Sequence, residues 1–303
     1  MLQRYDERNA DIVYWVNGEL LHRDQPGLSP FDSVVQGGDA VWEGLRLYRG
    51  AIFGLAAHLS RLRRSACALN FTDIPSDDTI IDAITRTLRA NEMSDGVHIR
   101  LTLTRGVKVT SGMDPRLNTA GPTLIVLAEH KPPVYDTGGL TLATSSIRRP
   151  SPDVLDPKIH HNNLLNSILA KIEANAAGAD DALMLDQRGF VAETNATHLF
   201  AVTGGALITP TTAACPEGIT RQTVLDLAGQ HGIPATVRDI SLTEMYAASE
   251  VFCTGTMGEI AAVTTIDGRV IGSGGVGPLT ARIAKLYQHH AAAHGTRLVR
   301  ALT

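Results

Sequence analysis

The chain has 303 residues, a formal net charge of −4, 44% hydrophobic and 19% charged residues, which is more chain than one hydrophobic core usually holds, so two domains are expected. Basic residues are scattered, and the densest group, Arg61, Arg63 and Arg64, has no aromatics interleaved; nucleic-acid binding is therefore not expected. Cys67, Cys215 and Cys253 lie far apart, which suggests neither a disulfide framework nor a CxxC metal site and points to a reducing cytoplasm. The first twenty residues lack the apolar core of a signal peptide and no later run reaches the length of a membrane span, so a cytoplasmic protein without a membrane anchor is expected.

In chain order, "DIVYWVNGELL" reads as two short strands around an Asn17-Gly18 turn. "LAAHLSRLRRSACAL" places Leu55, Leu59, Leu62, Ala66 and Leu69 at helical spacing, and "DDTIIDAITRTLRANEM" repeats the pattern. "VHIRLTLTRG" alternates as a strand and "GPTLIVLAEH" is a nearly continuous apolar strand. "KPPVYDTGG" then breaks regular structure. The expected domains are a smaller N-terminal one over 1–131 and a larger one over 140–303, with 132–139 as the loop between them. The second part offers the strand "LTLATSSIRR", the helix "NNLLNSILAKIEANAAG", the strands "DALMLD", "GFVAET" and "HLFAVTGGALITP", and the helix "TRQTVLDLAGQHG". The strands "ATVRDIS", "EVFCTGT" and "AVTTIDGRVIG" and a closing helix from Pro278 follow. Strands and helices mix without a βαβ rhythm, so the expected class is α+β rather than a doubly wound parallel sheet.

"GSGGVG", Gly272 to Gly277, matches G-x-G-x-x-G but has no acidic residue about 20 positions on and sits at the far end of the chain, so it reads as a glycine-rich turn. Other stretches carry more chemistry. "GITRQTVLDLA" opens a helix at Gly218, Ile219 and Thr220, whose N–H groups, hydroxyl and axial dipole suit an anion such as a phosphate. "TGTMGE" offers the glycine-flanked Thr256, and Glu193 in "GFVAETNATHLF" is a carboxylate among apolar strand residues, a costly placement unless a cation pairs with it. Read singly, these are a capped helix, a turn and a strand-end charge.

Together they resemble the class IV, or fold-type IV, pyridoxal-phosphate enzymes, through "GDAVWEGLRLY", "HLSRLRRSA", "LTRG", "NNLLNSILAKIEA", "AETNATHLF", "GITR", "TGTMGEI" and "VGPLT" in that order. The shared "KIHHNNLLN", "ETNAT" and "TGTMGE" make the branched-chain-aminotransferase-like branch the nearest look-alike. The resemblance implies a two-domain fold like that of D-amino acid aminotransferase, with pyridoxal 5′-phosphate (PLP) between the domains. Arg61, Thr220, the backbone of Ile219 and Thr256 then grip the phosphate, and Glu193 pairs with the pyridine nitrogen. Lys158 is the lysine that bonds the cofactor and carries the proton, and it is the sole lysine between Lys131 and Lys171. It lies five residues before Asn163 and four before Asn162, and the "KIHH" branch favours it. Such an amine must be deprotonated to attack, which desolvation and a nearby cation promote.

For the substrate, the resemblance points to Trp42, Arg100, Arg105 and Met257. Arg100 corresponds to an arginine that takes the distal carboxylate of glutamate in branched-chain enzymes, and Arg105 to a carboxylate-binding arginine of D-amino acid transaminases. The expected reaction moves an amino group from a hydrophobic or branched-chain L-amino acid to a 2-oxo acid such as 2-oxoglutarate. D-amino acid or (R)-amine transamination and an aminodeoxychorismate-lyase-like reaction stay open. At least a homodimer is implied, and no metal. Asn163 stands near the place of a frequent tyrosine and His198 replaces a usual asparagine, while His160 and His161 read as packing or hydrogen-bonding residues, since a histidine cannot form the bond to the cofactor.

Overall fold

A computed structural model describes residues 5–132 and 138–300; most of the loop expected at 132–139 lies outside the described residues. The chain divides into two units. One comprises residues 5–132, 159–163 and 292–300, the other residues 138–158 and 164–291.

The first unit begins with β1 (Val13–Val16) and β2 (Glu19–His22), joined at Asn17 and Gly18, whose φ values of 44° and 107° are those a tight hairpin turn demands. Next come α1 (Ser33–Gly37), β3 (Ala40–Tyr48), β4 (Ala51–Phe53), α2 (Leu55–Ala68), α3 (Asp77–Ala90), β5 (Val97–Thr104) and β6 (Thr123–His130). The Ser76 hydroxyl caps α3 by accepting from the Thr79 N–H at 3.1 Å, and Asp77 and Asp78 favour its positive end. The apolar stripes of the two helices, with Leu59, Leu62, Ile80 and Ile84, share a core with Val41, Leu45 and Leu47 of β3 and Ile99 and Leu101 of β5. Strand alternation turns Trp42, Gly44 and Arg46 to the other face of the sheet.

The second unit runs through β7 (Leu140–Thr144), α4 (Pro152–Leu155), α5 (Leu165–Ala176), β8 (Asp181–Leu185), β9 (Val191–Thr194), β10 (His198–Thr203) and β11 (Ala206–Thr209). It continues with α6 (Ile219–Gln230), β12 (Ala235–Val237), α7 (Leu242–Ala247), β13 (Glu250–Gly255), β14 (Glu259–Ile266), β15 (Arg269–Val270) and α8 (Pro278–Ala293). Its sheet has the order β12-β11-β10-β13-β14-β7-β8-β9, with β15 on β14. Parallel pairs, β7 with β8 and β14, sit among antiparallel ones, which is the mixed α+β arrangement expected. The last strand, β16 (Gly295–Arg297), belongs to the first unit and pairs with β4, giving the order β16-β4-β3-β5-β6-β1-β2.

Two elements depart locally from expectation, the first for a clear physical reason. α5 starts at Leu165 rather than Asn162, because His160 to Asn162 pair their backbone with β3: the Trp42 N–H donates to the His160 carbonyl and the Asn162 N–H to the Ala40 carbonyl. The strand expected over "ATVRDIS" is short, at Ala235–Val237. "GSGGVG" is turn, as read, and its end serves a helix cap. The Glu250 carboxylate accepts from the Leu279 and Thr280 N–H groups at 3.0 and 2.7 Å, and a Cβ on Gly277 would stand 2.1 Å from Glu250 Cδ.

Candidate active site

The residues singled out in the sequence fall into two groups, one in each unit. In the second unit the centre is Glu193 on β9, 6% exposed. Its Oε1 lies 2.8 Å from Arg149 Nη2. Arg149 is itself held: its Nε donates to the Ala214 carbonyl at 3.3 Å, and its Nη1 to Ser167 Oγ at 3.2 Å and Asn166 Oδ1 at 3.5 Å. The first turn of α5 therefore fixes the arginine that fixes the glutamate. Sequence reading missed Arg149; its signal was an arginine closing the strand "LTLATSSIRR" ahead of the lysine turn.

His198 at the start of β10 connects this carboxylate to α6. Its Nδ1 is 3.7 Å from Glu193 Oε2, and its ring packs so closely on Gly218 that a Cβ there would lie 2.2 Å from His198 Cδ2. Glycine is needed at 218 for that reason, and with it the cap of α6 has no side-chain hydrogen bond. The first turn of α8 takes the Glu250 carboxylate of β13, whereas the glycine cap of α6 offers its first turn no side chain. Thr220 is buried in its first turn. Arg221 is committed elsewhere, its Nε donating to Thr209 Oγ1 at 3.2 Å and its Nη2 to the Pro210 carbonyl at 2.8 Å. Thr254, opposite His198 in the β10–β13 register, has a buried hydroxyl without a hydrogen-bond partner. Thr256 and Met257 follow in the half-buried turn after β13.

Lys158 belongs to this unit. It sits exposed in the turn after α4, with its N–H donating to Asp156 Oδ1 at 2.9 Å, so the protein's own side chains do not supply the desolvation expected for it. Cys215 lies between these groups. Burial pushes its thiol well above the usual range, Glu193 adds to the rise, and Arg221, Arg149 and Lys158 oppose it. The candidate ligand atoms of Glu193, His198 and Cys215 lie within 4.8 Å of one another, a zinc-like donor set. Burial disfavours the thiolate that a metal ion would need from Cys215.

In the first unit Arg61 is buried on α2, and its Nε and Nη2 donate to the two oxygens of Glu43 at 2.8 and 2.7 Å. Glu43 is fully buried and also meets His58 Nδ1 at 2.7 Å and His160 Nδ1 at 3.5 Å. Burial alone would raise the Glu43 carboxyl; His160 and the hydrogen bonds and charge of Arg61 hold it well below the usual range. Burial also lowers the His160 imidazolium, so at neutral pH the compensating charge comes from Arg61. Glu43 was legible as the one acid on an apolar face with Val41, Leu45 and Leu47, yet the sequence reading passed over it.

Arg100 lies 3.6 Å over the Trp42 ring and donates to Asn162 Oδ1 at 2.6 Å. Trp42 stacks on His160 at 4.3 Å and donates its indole N–H to the His161 carbonyl at 3.0 Å. Asn163 passes beside Gly38, its Cα 3.8 Å from where a Gly38 Cβ would be. Arg105 is held differently: its Nε and Nη2 donate to Asp39 at 2.6 and 3.2 Å, and Nη2 and Nη1 to the Leu69 and Asn70 carbonyls at 2.8 and 3.3 Å. These bonds tie the end of α2 to the segment before β3.

Residues 40–266 match the family model for amino-transferase class IV. The chain belongs to the class IV aminotransferase family. The branched-chain-amino-acid aminotransferase-like protein 2 of Arabidopsis thaliana is 56% identical over 281 residues, covering 92% of this chain and 50% of the relative. The chain thus spans about half the length of the first curated relatives it matches. A putative branched-chain-amino-acid aminotransferase of Methanocaldococcus jannaschii is 40% identical over 90% of this chain and 94% of its own length. Among solved structures, the PLP form of the branched-chain amino acid aminotransferase from Thermobaculum terrenum superposes with a TM-score of 0.85 at 28% identity, over 96% of this chain and 99% of that one. The fold of this class IV aminotransferase is therefore the two-domain α+β fold of fold type IV. Among the described residues, no helix is long and apolar enough to cross a membrane.

Proposed function

We propose that this chain is a PLP-dependent aminotransferase that moves the amino group of a hydrophobic or branched-chain L-amino acid to a 2-oxo acid such as 2-oxoglutarate. The observation that carries the reading is the Arg149–Glu193 pair beside the uncapped N-terminus of α6. A phosphorylated pyridine needs a fixed carboxylate for its ring nitrogen and a nest of N–H groups for its phosphate, and these residues fit that group. The unpartnered Thr254 hydroxyl adds to the fit. When bound, PLP supplies the carbonyl that accepts the amino group and a ring that withdraws electrons from the substrate Cα.

This chain's residues supply the rest. Glu193, held in place by Arg149, would hold a proton on the pyridine nitrogen. Ile219 N–H and the hydroxyls of Thr220 and Thr256 bind the phosphate, with Arg61 as the assigned cation. The Lys158 amine would be the base that takes the proton from the substrate Cα. Trp42, Met257 and Arg100 line the substrate's place. The bonds of Arg105 to Asp39 and two carbonyls favour Arg100 as the substrate arginine, and with it the branched-chain reading over the D-amino acid one.

The chain is further proposed to work as a homodimer in the cytoplasm. Leu165, Ile168, Leu169 and Ile172 recur at one-face helical spacing on α5 and are 65%, 50%, 49% and 57% exposed, an apolar stripe that a second copy would bury. Half-reactions of the PLP-loaded protein with L- and D-amino acids and (R)-amines test the chemistry. Conversion of the aldehyde to the amine spectrum by L-leucine or L-valine supports the reading; conversion by D-amino acids or (R)-amines alone overturns it.

A further inference from the structure

Three segments of the first unit meet at the β3–β4 turn. The Gly50 N–H donates to the Ser94 carbonyl, which ties this turn to the chain leaving α3, and the Gly50 carbonyl accepts from the Leu298 and Val299 N–H groups at 2.9 and 3.2 Å, which ties it to the chain leaving β16. The α3 and β16 segments line a cavity of about 580 Å³ with Arg89, Arg297, Leu298, Val299 and Arg300. Leu298 and Val299 are half-buried against the core of this unit and give the cavity an apolar floor, while the three arginines are exposed around it. Structural duties account for part of this charge. Arg89 complements the negative end of α3, and Arg297 Nη1 donates to the Arg49 carbonyl at 3.3 Å. Among the described residues, however, no carboxylate pairs with any of the three guanidiniums. Asp95 in the adjoining turn accepts from the Arg49 and Gly96 N–H groups, and Glu92, three residues after Arg89, makes no pair with it. Like charges gathered without a counter-charge repel one another, and a bound anion relieves that repulsion.

We propose that Arg89, Arg297 and Arg300 form a binding site for a small organic phosphate bearing two or more negative charges, with its organic body against Leu298 and Val299. Guanidinium forks match phosphate oxygens and their planes stack on flat rings. The cavity's volume falls within the roughly 300–1,000 Å³ of small-molecule sites, and an inorganic phosphate alone would leave the apolar floor unused. None of these residues is assigned to PLP or to the amino-acid substrate, so the inference goes beyond the aminotransferase reading and does not depend on it.

Calorimetric titration of the PLP-saturated protein with magnesium-free ATP tests it, since bound PLP keeps the probe from α6. ATP should bind saturably, and adenosine should not. Arg89→Gln, Arg297→Gln and Arg300→Gln should each weaken ATP binding about threefold to fivefold, the worth of an exposed ion pair, and the triple variant by about thirtyfold or more as separate contacts add. Melting temperature and PLP affinity should match the wild type's in every variant. Wild-type ATP affinity in the triple variant overturns the proposal, as does adenosine binding as tightly as ATP. Capture of the protein by anionic lipid vesicles or by single-stranded DNA, without ATP binding, overturns it too, because the arginines then serve a surface or a strand. Failure of the aminotransferase reading shows separately, as no amino-group exchange by the unaltered protein with any donor.

Discussion

Arg149 Nη2 lies 2.8 Å from Glu193 Oε1, and both residues are at least nine-tenths buried. Removing one partner of a buried ion pair leaves the other charge uncompensated, at a cost of about 3–5 kcal/mol. Arg149→Met should therefore lower the melting temperature of the PLP-free protein and weaken PLP retention, with Arg149→Lys restoring part of both. Thermal melts and a fluorescence titration with PLP measure the two effects; wild-type values in Arg149→Met would show that Glu193 does not depend on this arginine.

Glu193→Gln should separate binding from chemistry. A neutral amide cannot keep the pyridine nitrogen protonated, so PLP should stay bound while the half-reaction with L-leucine slows. Stopped-flow spectroscopy reads that rate. Turnover equal to wild type would assign the ring nitrogen to another group or to none.

Lys158→Ala should retain PLP through its phosphate but lose the covalent adduct that borohydride fixes in the wild type. Losing a proton-transfer group typically costs about 10²–10⁴-fold in rate, and transamination should fall by at least that factor. Peptide mass spectrometry locates the reduced adduct. Its appearance on Lys131 or Lys171 would refute the assignment made from the "KIHHNN" turn.

Thr220→Val removes a buried hydroxyl from the first turn of α6 without changing the side chain's shape. A hydrogen bond to a charged group contributes about 1.5–3 kcal/mol, so PLP should bind tenfold or more weakly, with little change in melting temperature without PLP. Equal PLP affinities would remove Thr220 from the phosphate site.

Glu43 links stability to acid. Its folded-state value lies well below the ordinary 4.5, so its contribution is fully present above that ordinary value and is lost as pH falls through the depressed one. Glu43→Gln should destabilise the protein at neutral pH and flatten the acid limb of a stability-versus-pH curve measured by urea unfolding. An acid limb as steep as the wild type's would show that other carboxylates govern it.

The α5 stripe gives a prediction about assembly. Ile168→Lys with Ile172→Lys places charges on residues that are already half exposed, so the single chain should keep its fold while a dimer dissociates. Light scattering after gel filtration reports the mass, and an unchanged dimer would move the interface off α5.

How far the sequence reached can be judged from particular residues. Period-two and helical spacing are local, and they marked the Asn17-Gly18 hairpin, α2, α3, β5 and β6 closely, because each pattern reflects one face buried in its own core. Glycines and hydroxyls at the start of α6 were legible for the same reason: a helix terminus is a local object. The partners of charged side chains are not local. Arg149 and Glu193 are 44 positions apart in number and meet only because β9 and the segment after β7 fold together, and the close fit of His198 on Gly218 depends on β10 meeting α6. The start of α5 illustrates the same limit. The residues after Lys158 have helical composition, but hydrogen bonds from β3 draw His160 to Asn162 into a bridge, and tertiary pairing overrides local propensity. The partners of the two arginines on this stretch were likewise decided by the fold: Arg100 meets Asn162 and Trp42, while Arg105, five residues on, is taken up by Asp39 and the end of α2.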